Sequence, residues 1–339
     1  MGHHDHKGLK NMGLALATTL AIGFGPVAGF AAEFKMKLGT ATVNDVQTFA
    51  IEQLASRIAE RSEGRIETET YPAAQLGSNA RMIEGLQLGT LELYIGPSAY
   101  LGGVDPRFQV ADAPGIFQSY EHMQKVFSDP DFRSRYLALA EDKGLVGIAL
   151  FTYGPTAFAT NKPVTKLSDF DGLKLRVLGS KIEREAAAKM GATAVPIDFS
   201  EVVSSLQQNA IDGMKSGMPA FTSLSLFNIV KDVTLTNEAV LSEVAMVSKV
   251  WWDKLPADLQ AIILEEAQAL EPVLYQYVLD AQQKSFDKWE AEGGTLHKLS
   301  DADQAEMMSR LSTVASDVLG EGATAEMFQL VLDTAKRNE

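Results

Sequence analysis

The sequence predicts an α/β protein of two lobes with a cleft between them. Three observations predict it. Strand, helix and strand patterns follow one another between Phe34 and Tyr71, which is a βαβ unit and implies a mainly parallel sheet. A second strand–helix series begins near Phe158. A late strand pattern, Glu243–Lys249, then returns toward the first series, so the chain passes between the two more than once. Its 339 residues are enough for two such lobes.

Phe34–Thr40 alternates apolar and basic residues, as an opening strand does. Asn44 and Asp45 can cap the next helix, whose apolar positions Ala50, Ile51, Leu54, Ala55 and Ile58 recur at helical spacing. Gly64 ends it, and Arg65–Tyr71 is a second alternating strand, stopped by Pro72. A helix starts at Asn79, and Leu91–Ile95 is a short strand with Gly96–Ala99 as the loop at its carboxyl end. Phe108–Phe117 is a loop crossing. Helices follow at Tyr120–Phe127 and Asp131–Asp142, then an apolar strand at Leu145–Phe151. In the second series, strands are expected at Phe158–Asn161, Leu173–Val177, Ile211–Lys215 and Asp232–Thr236. Between them lie a helix from a Ser180/Glu183 capping box to Met190, one opened by Ser200, and one from Pro219 to Phe227. Beyond the return strand a helical pattern fills Ala257–Glu292, with a kink expected where Pro272 removes a backbone donor. A small strand at Leu296–Leu299 and two final helices, one carrying Met307, Leu311 and Val314, complete the chain.

The composition narrows the partners. Charged residues are 22% of the chain and hydrophobic ones 46%, which is the balance of a soluble globular protein. A net charge of −14 with no Lys/Arg run argues against nucleic acid, whose affinity comes largely from phosphate neutralisation. With no cysteine, disulfides, thiolate catalysis and Cys-ligated zinc are excluded. Gly23-x-Gly25 is no dinucleotide motif, and neither a cofactor nor a metal is expected. Residues 1–32 read as a secretory signal peptide: Lys7 and Lys10 precede the apolar run Met12–Phe24, and small residues close it. That run is too short and Gly-rich to span a bilayer well. The rest is expected to be an exported monomer without stable membrane insertion.

One cation stands out. Leu173, Leu175 and Val177 share one face of their strand, which puts Lys174 and Arg176 on the other. Arginine presents a rigid fork that matches a carboxylate bidentately and stays charged when desolvated. The plainer reading is a surface salt bridge. Six collinear stretches decide between them: Gly64–Ile66 with Tyr71–Gly77 (YPAAQLG), Asp112–Phe117 (DAPGIF), Asp169–Arg176 (DFDGLKLR), Met190–Ala192 with Pro196, Ser200–Val202 with Leu206-Gln207, and Asp212-Gly213. Together, over about Leu38 to Leu264, they resemble the DctP-type solute-binding proteins of TRAP (tripartite ATP-independent periplasmic) transporters.

The resemblance implies a class II-like periplasmic-binding-protein fold, with a hinge between the lobes and a long helix spanning both. Lobe I would comprise 33–153 plus about 242–281, and lobe II 154–241 plus about 282–339. It implies capture of a small organic acid whose carboxylate pairs with Arg176, and delivery to the membrane permease subunits of the transporter. Departures from the family's pattern bear on which acid. Thr156 stands where many relatives carry a second arginine, and Ser216 where many carry an asparagine. Pro97 and Tyr100 fill positions charged in sialic-acid binders, so a highly polar ligand of that kind is not expected. The candidate ligand-binding residues are Arg176, Ser216, Thr156, Tyr153, Phe199, Asn79, Ser98, Tyr100, Phe221 and Lys215. Lys215 is either a second cation for the ligand or a solvated turn lysine. A secreted hydrolase or lyase using Ser98 or a carboxylate pair is the competing class, and it lacks a nucleophile elbow. A binding protein that serves a membrane sensor is a further alternative.

Overall fold

The structure, a computed structural model, describes residues 32–339. The expected signal peptide, but for Ala32, lies outside the described residues.

β1 (Phe34–Gly39) and β2 (Ile66–Tyr71) are parallel and joined by α1 (Val46–Arg61), as the βαβ pattern requires. Asp45 caps α1, accepting from the amides of Gln47 and Thr48. The turn after β2 holds Ala73 and Ala74 at positive φ, and their amides donate to the carbonyls of Thr42 and Thr40. That conformation is costly for alanine, and here it braces the chain leaving β1. α2 (Asn79–Leu88) leads to β3 (Leu93–Pro97), which runs two residues later than predicted. Two 3₁₀ turns follow, Ser98–Gly103 and Pro106–Asp112, and the second overlaps the first half of the loop crossing expected at Phe108–Phe117. α3 (Tyr120–Ser128) and α4 (Pro130–Leu137) precede β4 (Leu145–Pro155), which extends beyond the apolar run to the point where the chain crosses over.

The second series holds β5 (Ala157–Thr160), β6 (Lys174–Val177), α5 (Lys181–Lys189), β7 (Thr193–Pro196), α6 (Val202–Gln207), β8 (Gly213–Ser216), α7 (Met218–Ser223) and β9 (Asp232–Thr234). β7 went unpredicted because TAVP is short and exposed along much of its length. The chain returns as β10 (Val240–Ser248), every residue of it buried. α8 (Lys249–Trp252) and α9 (Ala257–Ala291) follow, then β11 (Thr295–His297), α10 (Asp301–Leu311), α11 (Val314–Leu319) and α12 (Gly322–Arg337). Three helices, not two, close the chain, since Val314 belongs to a helix of its own.

Two sheets result, in the orders β2-β1-β3-β10-β4 and β11-β9-β5-β8-β6-β7. β10 lies antiparallel between β3 and β4, so the returning strand completes the first sheet. α9 remains one helix through Pro272 and fastens both sheets. Its first half bonds to the first-sheet side, with Arg61 on Glu266 at 2.7 Å and the Leu150 amide on Glu271 at 2.9 Å. Its second half bonds to the other, with Ser285 on Thr222 at 3.1 Å and the Trp289 indole on the Lys231 carbonyl at 3.1 Å. α12 differs from the expectation that everything after 282 belongs with the second sheet. It packs on the first-sheet side, where the Ala335 carbonyl meets His122 Nε2 at 2.8 Å and Arg337 reaches Asp129 at 3.1 Å. No helix among the described residues is long and apolar enough to cross a membrane.

Candidate ligand-binding site

Between the sheets lies a cavity of about 340 Å³, counting the part open to solvent. Its walls come from the carboxyl ends of parallel strands on both sides, where open α/β sheets place ligands. Ala41 and Thr42 follow β1, Pro97 ends β3, Leu178 follows β6, and Ser216 ends β8.

Arg176 occupies the centre of the second-sheet wall and is fully buried. Its Nε donates to the Ile197 carbonyl at 3.1 Å, and Nη2 donates to Tyr100 Oη at 2.8 Å across the cleft. Phe199 lies beside the guanidinium, 5.9 Å from ring centroid to Cζ. Nη1 has no partner. A buried, fixed cation with one unpartnered donor in a cavity wall is an anion site by its chemistry. Burial pushes the Tyr100 hydroxyl up to about 12 although Arg176 pulls the other way, so it stays a neutral hydrogen-bonding group.

The first-sheet wall is built from hydrogen-bonded polar side chains. Asn79 donates through its amide and Nδ2 to Asp198 Oδ2, at 3.1 and 3.2 Å, and accepts from Tyr94 Oη at 2.7 Å. Tyr153 Oη donates to Asp45 Oδ2 at 2.8 Å, so the cap of α1 also fixes the tyrosine. Gln47 and Glu243 complete that wall, with Gln47 Nε2 donating to Glu243 Oε1 at 3.3 Å. Leu241 and Ala220 are apolar lining from β10 and α7.

Arg176, Tyr153, Phe199, Asn79, Tyr100 and Ser216 therefore meet at one cavity. Four other candidates do not line it. Thr156 is buried at the crossover: its Oγ1 donates to the Ala239 carbonyl at 3.0 Å and accepts from the Ala239 amide at 3.2 Å. Lys215 is only 4% exposed and lies between Glu183 and Glu238, 3.3 Å from an oxygen of each. Burial alone would lower its ammonium, but the two carboxylates outweigh it and hold the group above its ordinary range. It stands within β8 rather than in a turn, and it does not line the cavity. Phe221 follows cavity-lining Ala220 but points the other way round α7, edge-on to Trp289 at 6.2 Å. Ser98 is tied to Asp112 Oδ2 at 3.3 Å and to the Ser242 hydroxyl. Neither described histidine bonds to it: His122 meets Ala335 and His297 meets Asp232. Among the described residues no group of three or more His, Cys, Asp or Glu is placed to hold a metal ion.

Sequence reasoning missed Gln47 and Glu243. The available signal was an acid in the middle of the mainly apolar return strand, Val240–Ser248.

Two lobes around a closed, cation-bearing cleft define a ligand-binding protein rather than a scaffold. The chain belongs to the DctP family, bacterial extracellular solute-binding protein, family 7, whose model matches residues 39–320. It is 28% identical to the sialic acid-binding periplasmic protein SiaP of Vibrio cholerae, over 76% of this chain and 78% of that one. It is 32% identical to the C4-dicarboxylate-binding periplasmic protein DctP of Rhodobacter capsulatus, over 64% of each. The fold matches that of a TRAP periplasmic solute-binding protein from Desulfovibrio salexigens, solved with orotic acid, at a TM-score of 0.86 and 24% identity. That match covers 90% of this chain and 99% of the other.

Proposed function

We propose that this protein captures a small organic acid between its lobes in the periplasm and delivers it unchanged to a TRAP transporter's membrane permease. The observation that carries the reading is Arg176: fully buried, held by two hydrogen bonds, unpartnered at Nη1, and part of the cavity wall. The relatives named above bind acids by their names, sialic acid and C4-dicarboxylates. Walls that include Ala41, Leu178, Ala220 and Leu241 support an acid with a partly apolar body. The moving parts would be lobe I, 33–153 with about 242–281, and lobe II, 154–241 with about 282–321, α12 riding on lobe I. The protein works as a monomer, and the ligand leaves as it entered.

The test is a thermal-shift screen of organic acids against wild type and Arg176→Ala. A bound acid raises the melting temperature by mass action, with about 2.7 kcal/mol of stabilisation at a hundred times Kd. The substitution should cost about 2–5 kcal/mol of binding, because it leaves the carboxylate buried without its partner. Recovery of a chemically altered acid would overturn the carrier reading. Undiminished binding by Arg176→Ala would overturn the anchor.

A further inference from the structure

On the reading that Arg176 anchors the ligand, a second residue of the same cavity wall also carries an unpartnered polar atom. Glu243 sits within β10, fully buried, with Oε2 bonded to nothing. Its other oxygen accepts from Gln47 Nε2 at 3.3 Å. In this arrangement the Gln47 oxygen accepts from Thr40 Oγ1 at 2.5 Å. With that donor on Oε1, a proton held by the carboxyl group sits on Oε2. Burial is the main cause that pushes the Glu243 carboxyl well above its ordinary range, and any negative charge on Asp45 or Asp112 adds to it. Among the described residues Arg176 is the only cation that lines the cavity, and Lys215 is occupied by Glu183 and Glu238. The cleft thus offers a cationic fork on one wall and a hydroxyl donor on the other.

We propose that Glu243 is a specificity-determining residue, which donates a hydrogen bond from Oε2 to a second oxygen of the bound acid. The ligand class is an acid that carries, besides the carboxylate at Arg176, an acceptor oxygen: a hydroxyl, a ketone or a second carboxylate. An unsubstituted alkanoate leaves that donor buried and unmet, and the loss falls on affinity. An ammonium in the same place meets a donor with a donor. This inference rests on the reading of the cleft as an organic-acid site.

The test is calorimetric titration of matched acids of three to six carbons, unsubstituted, hydroxy-, oxo-, amino- and dicarboxylic, into wild type, Glu243→Gln and Glu243→Leu. In wild type the best oxygenated acid should bind at least about tenfold tighter than the alkanoate of equal length. Glu243→Gln still presents a donor to the cavity and should keep most of that ratio. Glu243→Leu should bring the ratio toward one, with melting curves reporting that the variant is folded. Equal binding of alkanoate and oxygenated acid, a preference for the amino acid, or loss of the ratio in Glu243→Gln would each overturn the proposal. If no acid binds wild type at all, the organic-acid reading falls and this inference with it. If acids bind without discrimination, only this inference falls.

Discussion

Asp112 lies under β10, where its Oδ1 accepts from the Ser242 amide at 3.0 Å and from Ser242 Oγ at 2.6 Å. Burial pushes its carboxyl up to about 7, against the pull of those two bonds. The folded protein therefore holds a proton that the unfolded chain, with its ordinary value of 3.8, releases early. Stability from this group is present below the unfolded value and is lost as pH rises to about 7, then stays level. A rise of about three units is worth on the order of 4 kcal/mol. Asp112→Asn should flatten that slope, since the amide oxygen still accepts from Ser242 and its nitrogen can donate to Ser98. Urea denaturation between pH 4 and 8 checks it, and parallel profiles for the two proteins would show that Asp112 is not the titrating group. Residues of this kind were illegible in the sequence for one reason. Asp112 in DAPGIF and Lys215 each read as a lone charge, and only the fold shows their partners, whereas the motif around Arg176 marked it out in advance. Lys215 finds two glutamates from distant segments, whereas Arg176 keeps an open donor.

At the scale of elements, the crossover between lobes is a pair of strand ends stitched by one threonine. β4 hands over to β5 at Thr156, and the return to β10 runs past Ala239. The Thr156 amide and hydroxyl donate to the Ala239 carbonyl, the Ala239 amide donates to Thr156 Oγ1, and the Asn237 amide donates to the Thr156 carbonyl. Thr156→Val preserves shape but strands the buried Ala239 amide, so stability should drop by about 1–3 kcal/mol. Affinity for an acid found by screening should change by less than about threefold, because Thr156 does not line the cavity. Chemical denaturation and calorimetry read the two effects separately, and a large affinity loss at unchanged stability would return Thr156 to the ligand site. Elements were more legible than residues. Periodicity located most strands and helices because each buries one face of a regular repeat. The motif stretches proved informative for a structural reason: Asp169 accepts from the amides of Thr165 and Lys166, and Asp212 accepts from the Lys174 amide. Gly213 lets β8 approach β5, where a Cβ would sit 2.5 Å from the Ala159 carbonyl. What periodicity could not give was the side to which α12 returns, because an amphipathic helix does not state which partner covers it.

For the molecule as a whole, the question is what holds two lobes closed over an unmet cation and an unmet carboxyl group. Closure leaves Arg176 Nη1 and Glu243 Oε2 buried without partners, which opposes it by about 1–3 kcal/mol for each group. Three contacts across the cleft act the other way: Asn79 on Asp198, Arg176 Nη2 on Tyr100 Oη, and the Lys181 amide on Gln109 Oε1 at 2.7 Å. A ligand that satisfies both orphans removes the opposing cost and so favours the closed state by its difference in affinity for the two. Asp198→Asn tests this balance with little change of shape. Asp198 Oδ1 caps the turn at Phe199–Glu201 by accepting from the Ser200 amide, and the asparagine oxygen can keep that bond. Its nitrogen then takes the place of Oδ2 and faces the two donors of Asn79. The variant should bind a screened acid about 5- to 30-fold more weakly, the equivalent of about 1–2 kcal/mol. Without ligand it should show a larger radius of gyration by small-angle scattering than wild type, and saturating acid should bring the two together. Equal radii and equal affinities would mean that the Asn79–Asp198 contact carries none of the closure energy, which would leave the Tyr100–Arg176 bond as the element joining closure to the anion site.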